Sequence, residues 1–158
     1  MACILWVGGN LRVFVTGATG FIGRALVLRL QREGCEVAAW VRNEARARGQ
    51  LGAGVTLCHL ECTDEELSRQ LALSDAVINL AGSPVLGPPW SQAVKAEIRD
   101  SRVALTQRIV RALEQGRSTT LISSSAVGVY GDRQQEPLDE MATLGDDFLA
   151  RVCEDWES

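Results

Sequence analysis

An apolar run that breaks into glycines and resumes as an amphipathic segment constrains this chain more than anything else in it. Arg12-Val13-Phe14-Val15-Thr16 leads into Gly17-Ala18-Thr19-Gly20-Phe21-Ile22-Gly23, with glycines spaced G-x-x-G-x-x-G, and the segment then continues to Arg32. That order predicts a strand, a tight turn and a helix folded back on the strand. Gly17 permits the turn, Gly20 lacks the Cβ that would hold an anion away from the backbone, and Gly23 lets the helix lie close. The first N–H groups of the helix and the positive end of its dipole then face outward, as the seat of a nucleotide pyrophosphate requires. Glycine spacing alone is common in turns; the preceding strand and following helix make it specific.

The rest of the chain repeats the alternation. The helix from Phe21 to Glu33 ends at Gly34, a residue suited to a left-handed C′ position. Strands are expected at Glu36 to Val41, Val55 to Leu60, Asp75 to Ala81 and Thr119 to Ser123. Between the second and third, Arg42 to Gly54 reads as a loop with a short helical turn. Thr63-Asp64-Glu65-Glu66 is a capping box that opens a helix to about Leu73. The Gly/Pro-rich loop Gly82 to Pro89 leads into one long helix from Ser91 to Gln115, stopped at Gly116, and Phe148, Leu149, Val152, Cys153 and Trp156 recur at helical spacing near the end. Strands alternating with helices specify right-handed βαβ units, so the fold class is α/β: a Rossmann-type doubly wound parallel sheet of about five strands in order 3-2-1-4-5. Residues 1–11 read as an N-terminal extension and residues 12–158 as the domain, without the sixth strand of a full dinucleotide fold.

Composition narrows the partners. A net charge of −4 argues against a nucleic-acid footprint, and no apolar run reaches the length of a membrane helix. Cys3, Cys35, Cys58, Cys62 and Cys153 are odd in number and scattered, which reads as reduced thiols in a cytoplasmic setting. Cys58, His59 and Cys62 lie close in sequence, but a strand would send Cys58 and His59 to opposite faces, so no metal site is expected. Met1 to Leu11 has no basic start or small-residue cleavage pattern of a secretory signal.

The glycine turn, Asn79-Leu80-Ala81-Gly82 after the fourth strand and Ser123-Ser124-Ser125-Ala126-Val127-Gly128-Val129-Tyr130-Gly131 after the fifth together resemble the short-chain dehydrogenase/reductase superfamily in its extended or atypical branch. Trp90, Lys95, Ile98, Ser101-Arg102, Thr106, Asp147-Phe148-Leu149 and Trp156-Glu157 are similar to the nucleotide-sugar epimerase family proteins within it. The resemblance runs from Arg12 to Glu157 and matches the N-terminal half of such proteins, leaving the C-terminal substrate lobe absent. It implies that Gly17, Thr19, Gly20, Phe21, Ile22 and Gly23 line the cofactor pyrophosphate, that Leu80, Ala81 and Gly82 run beside the adenine ribose, and that Ser125 or its neighbour Ser124 hydrogen-bonds the reacting oxygen of a substrate. Glu61 stands where many relatives carry an Asp near the adenine; it either does that work through a longer arm or merely flanks the capping box. A homodimer through the long helix and the terminal helix is the further implication of the resemblance.

Two departures qualify this reading. An NAD-selective site ends its second strand with an acidic residue for the ribose 2′-OH, whereas this chain has Trp40-Val41-Arg42-Asn43. A guanidinium cannot accept hydroxyl protons but suits a 2′-phosphate, so NADP is expected over NAD, unless Arg42 is only a solvated loop arginine beside Arg46 and Arg48. The second departure is catalytic. The usual Y-x-x-x-K helix lets a lysine lower the tyrosine pKa for acid/base work, yet the sole tyrosine, Tyr130, has Gln134 four positions on, and the sole lysine is Lys95. The sequence therefore reads as the NADP-binding domain of an epimerase-like oxidoreductase acting on a nucleotide sugar or related alcohol or ketone. The alternatives are a non-catalytic NADP-binding sensor or scaffold and an inactive truncated fragment.

Overall fold

A computed structural model of the chain describes residues 11–87, 89–113 and 119–158. Five parallel strands, β1 (Arg12–Thr16), β2 (Glu36–Val41), β3 (Val55–His59), β4 (Ala76–Asn79) and β5 (Thr120–Ser123), form one sheet in the order β3-β2-β1-β4-β5. The expected topology is the one observed. In register, Thr16 pairs with Trp40 on one side and Asn79 on the other, and Asn79 pairs with Ser123, so the strand ends that follow the glycine turn line up along one edge. Leu11 already belongs to the sheet's surroundings, its carbonyl accepting the Glu36 N–H at 2.8 Å. The remainder of the expected extension lies outside the described residues.

Helices cover both faces. The pleat sends Val13, Val15, Val37, Ala39 and Val41 toward α1 (Phe21–Arg32) and α2 (Glu44–Leu51), where Val27, Ala47 and Leu51 complete a buried cluster. It sends Phe14, Ala38, Trp40 and Val77 to the other face, against Leu67 and Leu71 of α3 (Asp64–Ala72) and Ile109 and Ala112 of α5 (Val103–Leu113). Burial on both faces explains why β1 and β2 read as continuous apolar runs rather than alternating ones. The edge strand β5 differs: Thr120, Ile122 and Ser123 are exposed.

Two expectations about helices change. Arg42 to Gly54 holds a two-turn helix, α2, rather than a loop with a short turn, because the Asn43 side chain caps it by accepting the Arg46 N–H at 2.8 Å. The single helix expected from Ser91 is two, α4 (Gln92–Asp100) and α5, broken at Ser101-Arg102. At the break the Arg102 N–H turns to the Arg99 carbonyl at 3.0 Å, one residue tighter than an α-helical bond, while the Ser101 hydroxyl donates to Ile98 and accepts the Ser83 N–H at 2.9 Å. The loop after β4 thus reaches over and pins the break. The expected stop at Gly116 lies outside the described residues. A 3-10 turn at Val127–Tyr130 leads to α6 (Phe148–Glu157), capped by Asp147, which accepts the Ala150 N–H at 2.9 Å.

Candidate functional site

The glycine turn has the shape of a phosphate cradle. Gly17 adopts φ +66°, and a Cβ there would meet the Leu80 carbonyl oxygen at 2.6 Å and the Ala81 nitrogen at 2.9 Å. A Cβ on Gly23 would run into the Gly17 carbonyl and Ala18, so only glycine lets α1 start this close to β1. Gly20 is the N-cap of α1 and offers no side-chain bond to the helix's first N–H groups; a Cβ there would touch only the Gly17 carbonyl, at 3.1 Å, and otherwise occupy open space. Phe21 and Ile22 are 88% and 65% exposed, apolar side chains left at the rim of an open helix N-terminus. This arrangement fits a dinucleotide pyrophosphate: unclaimed N–H donors, the positive dipole end and a glycine surface with no Cβ in the way. Thr19 stands half-buried in the same turn.

Behind the cradle lies a buried polar network that sequence reading did not assemble. Thr16 donates from its hydroxyl to Asn79 Oδ1 at 2.6 Å and accepts the N–H groups of Leu80 and Ala81, each at 3.2 Å. The Asn79 amide donates to the Thr106 hydroxyl at 2.8 Å and to Ser123 at 3.1 Å, and Trp156 Nε1 donates to Thr106 at 2.9 Å. Leu80 and Ala81, the segment expected beside the adenine ribose, are therefore fixed through their backbone, and α6 is tied to the same strand ends. Gly82 follows, exposed, with the Arg102 guanidinium against it.

The corner expected to face the adenine is built by β2, β3 and α5. Arg42 begins the loop after β2 with its side chain exposed and outside every ion pair among the described residues; its carbonyl lies 3.1 Å from His59 Nε2. Glu61 is exposed just beyond β3, its N–H donating to His59 Nδ1 at 3.2 Å. Arg108 holds this corner: it pairs with Asp64 at 2.7 Å, donates to the carbonyls of Leu60 and Cys62, and lies 5.1 Å over the Trp40 ring. Its role could not be read from sequence, because its partners come from a different βα unit. Cys58 is buried with its sulfur 3.6 Å from that of Cys62; burial, reinforced by the Cys62 thiol, pushes the Cys58 thiol up to about 12. A thiol held protonated is a poor metal ligand, and no group of metal-ligating side chains occurs among the described residues.

The two serines separate. The Ser124 hydroxyl donates to the Asn79 carbonyl at 3.1 Å, locking β5 to β4. Ser125 is exposed, accepts the Ala126 N–H at 2.6 Å and donates to the Glu157 carboxylate from α6. Helix α6 contains neither tyrosine nor lysine. Phe148 meets Trp90 edge-on at 5.6 Å and carries the Lys95 ammonium 5.3 Å over its ring, while Arg99 of α4 grips Asp155 through Nη2 at 2.9 Å. Tyr130 ends the 3-10 turn, half-buried. The sole tyrosine and lysine thus occupy separate elements.

Residues 13–150 match the family model for the NAD dependent epimerase/dehydratase family. The chain is 36% identical over 156 residues to the epimerase family protein SDR39U1 homolog, chloroplastic, of Arabidopsis thaliana, covering 94% of this chain and 44% of that relative. It is 30% identical to the human epimerase family protein SDR39U1, covering 94% of this chain and 48% of that protein. Among solved structures, UDP-glucuronic acid 4-epimerase from Bacillus cereus in complex with UDP-glucuronic acid and NAD superposes with a TM-score of 0.75 at 20% identity, over 93% of this chain and 50% of that one. MoeE5 in complex with UDP-glucose and NAD gives 0.72 at 26% identity, over 94% and 47%. The chain spans about half the length of the curated relatives it matches. With the match covering the glycine turn, all five strand ends and the start of α6, the chain belongs to the NAD dependent epimerase/dehydratase family.

Proposed function

We propose that this chain is the NADP-binding domain of an epimerase-like oxidoreductase that acts on a nucleotide sugar or a related alcohol or ketone. The observation that carries the reading is the uncapped start of α1 behind Gly17 and Gly20, where a pyrophosphate finds donors and no side chain in its path. When bound, the nicotinamide supplies hydride transfer. The chain's own contribution is positional. Gly17, Thr19, Gly20, Phe21, Ile22 and Gly23 cradle the pyrophosphate. Leu80, Ala81 and Gly82 form the floor beside the ribose, and Glu61 borders the adenine. Arg42, exposed just after β2 and outside any ion pair among the described residues, is the group that would favour a 2′-phosphate and hence NADP over NAD. Ser125 orients a reacting oxygen, its own proton held toward Glu157. The free thiols Cys35, Cys58, Cys62 and Cys153 suit the reducing cytoplasm assigned to it in this reading.

A second reading, a non-catalytic NADP-binding module, is favoured by one observation: α6 runs from Phe148 to Glu157 with neither tyrosine nor lysine. Titration of the chain with NADPH, NADH and 2′-phospho-AMP tests the binding common to both readings. Arg42→Ala is expected to weaken NADPH by roughly 10-fold or more while leaving NADH nearly unchanged; equal losses would remove Arg42 from the 2′ site. Turnover on a panel of sugar nucleotides separates enzyme from module, and sedimentation of the purified chain tests the homodimer expected through the segment of α4 and α5 together with α6.

A further inference from the structure

Arg102 is a half-buried cation with no carboxylate partner among the described residues. It stands at the break between α4 and α5, where Nη1 donates to the Ile98 carbonyl at 3.0 Å and reaches the Ser101 hydroxyl at 3.4 Å. Its guanidinium lies 5.6 Å over the Trp156 ring, and no carboxylate among the described residues pairs with it. Arg99, Arg108 and Arg133 all have such partners. Burial lowers the Arg102 pKa, with the nearby Cys153 opposing the shift.

The free edge of this guanidinium has a definite location. Nη2 and Nε stand 2.9 and 3.2 Å from the point a Cβ of residue 82 would occupy, so Gly82 is what admits the group. Gly82 directly continues Leu80 and Ala81, the backbone against which Gly17 of the cradle is packed. The Nε/Nη2 edge is the fork that recognises carboxylate and phosphate oxygens bidentately. An unmatched fork in a notch made by glycine, beside the mouth of the pyrophosphate cradle, is arranged for a ligand's charge rather than for the fold, since desolvating a cation with no counter-ion opposes folding.

We propose that Arg102 is a ligand-contacting residue that pairs through Nε and Nη2 with the diphosphate of a nucleotide lying across the C-terminal strand ends. The proposal rests on the dinucleotide reading above and adds a binding group from a different element. The same chemistry comes from two sources, the pyrophosphate of the cofactor and the diphosphate of a nucleotide sugar, and titration tells them apart. Wild-type chain, Arg102→Ala and Arg102→Lys are titrated calorimetrically with ADP-ribose and, separately, with UDP, at several salt concentrations.

Arg102→Ala is expected to lose roughly 10-fold or more in affinity for a diphosphate ligand and to show a shallower salt dependence. Arg102→Lys, which keeps the charge but loses the fork, is expected to fall between. Loss confined to ADP-ribose assigns Arg102 to the cofactor; loss confined to UDP assigns it to the substrate; either supports the proposal. Wild-type binding with both variants unchanged overturns the role of Arg102 and leaves the cradle standing. Failure of the wild type to bind either ligand overturns the proposal together with the reading beneath it. Should Arg102→Ala not fold, an Arg102→Lys chain that binds and responds to salt like wild type overturns the proposal by itself.

Discussion

Replacing Gly17 by alanine separates two costs that a glycine turn normally confounds. Gly17 and Gly34 both have left-handed φ, +66° and +79°, so an alanine at either site carries the backbone cost of about 1–2 kcal/mol for an L-residue there. They differ in surroundings. A Cβ on Gly34 meets nothing within 4 Å, whereas one on Gly17 comes to 2.6 Å from the Leu80 carbonyl oxygen, a backbone atom fixed by the Thr16–Asn79 network. Forcing that contact apart adds the ~1–3 kcal/mol typical of overpacking. Gly34→Ala should therefore destabilise by about 1–2 kcal/mol and Gly17→Ala by about 2–5 kcal/mol, a large share of the stability of an ordinary domain. Urea unfolding at constant m-value measures both. Equal losses would refute the reasoning, because they would mean that the Leu80–Ala81 backbone yields freely and that the turn is held by φ alone.

Two other outcomes follow from buried groups. Thr106→Val removes the hydroxyl that accepts from both Asn79 and Trp156, leaving Trp156 Nε1 without its acceptor; a loss of about 1–3 kcal/mol is expected in urea unfolding, larger than that of Thr106→Ser, which keeps the hydroxyl, and the reverse order would contradict it. The Cys58 thiol is raised from 9.0 to about 12 by burial, so the unfolded chain gives up this proton first and stability is lost as pH rises from the unfolded value through the folded one. The urea midpoint of the wild type should fall more steeply than that of Cys58→Ala between about pH 9 and about pH 11, and parallel slopes would dismiss the thiol as the cause.

The sheet order was legible because alternation and glycine position act locally. Val13, Val15, Val37 and Ala39 announce a doubly covered sheet through their own apolar character, and Gly17 announces its turn through its missing side chain. What stayed hidden depends on partners far along the chain. Ser101 interrupts a helical pattern that runs on through Val103 and Thr106, and its reason for doing so, the Ser83 N–H, sits in a loop with no periodicity to read. Helix α2, rich in arginine, alanine and glycine, has almost no apolar stripe, yet Asn43 starts it and buried Ala47 and Leu51 hold it down. Thr16, Asn79, Thr106 and Trp156 each read separately as strand end, motif or helix residue; only the parallel register brings them into one set of bonds. The site followed the same division: the cradle was visible in its glycines, while the charge of Arg102, unmatched among the described residues, could be recognised only from the positions of the described carboxylates.

That set of bonds also makes two distant parts of the molecule one variable. Trp156 anchors the last helix to Thr106, Thr106 to Asn79, Asn79 to Thr16, and Thr16 to the Leu80 and Ala81 amides on which Gly17 leans. Lifting the last helix away takes the Trp156 donor with it and leaves the Thr106 hydroxyl with Asn79 alone, at the far end of the bonds that hold the turn. Consecutive hydrogen bonds thereby join the terminal helix to the turn, in the manner of a strut that closes a frame.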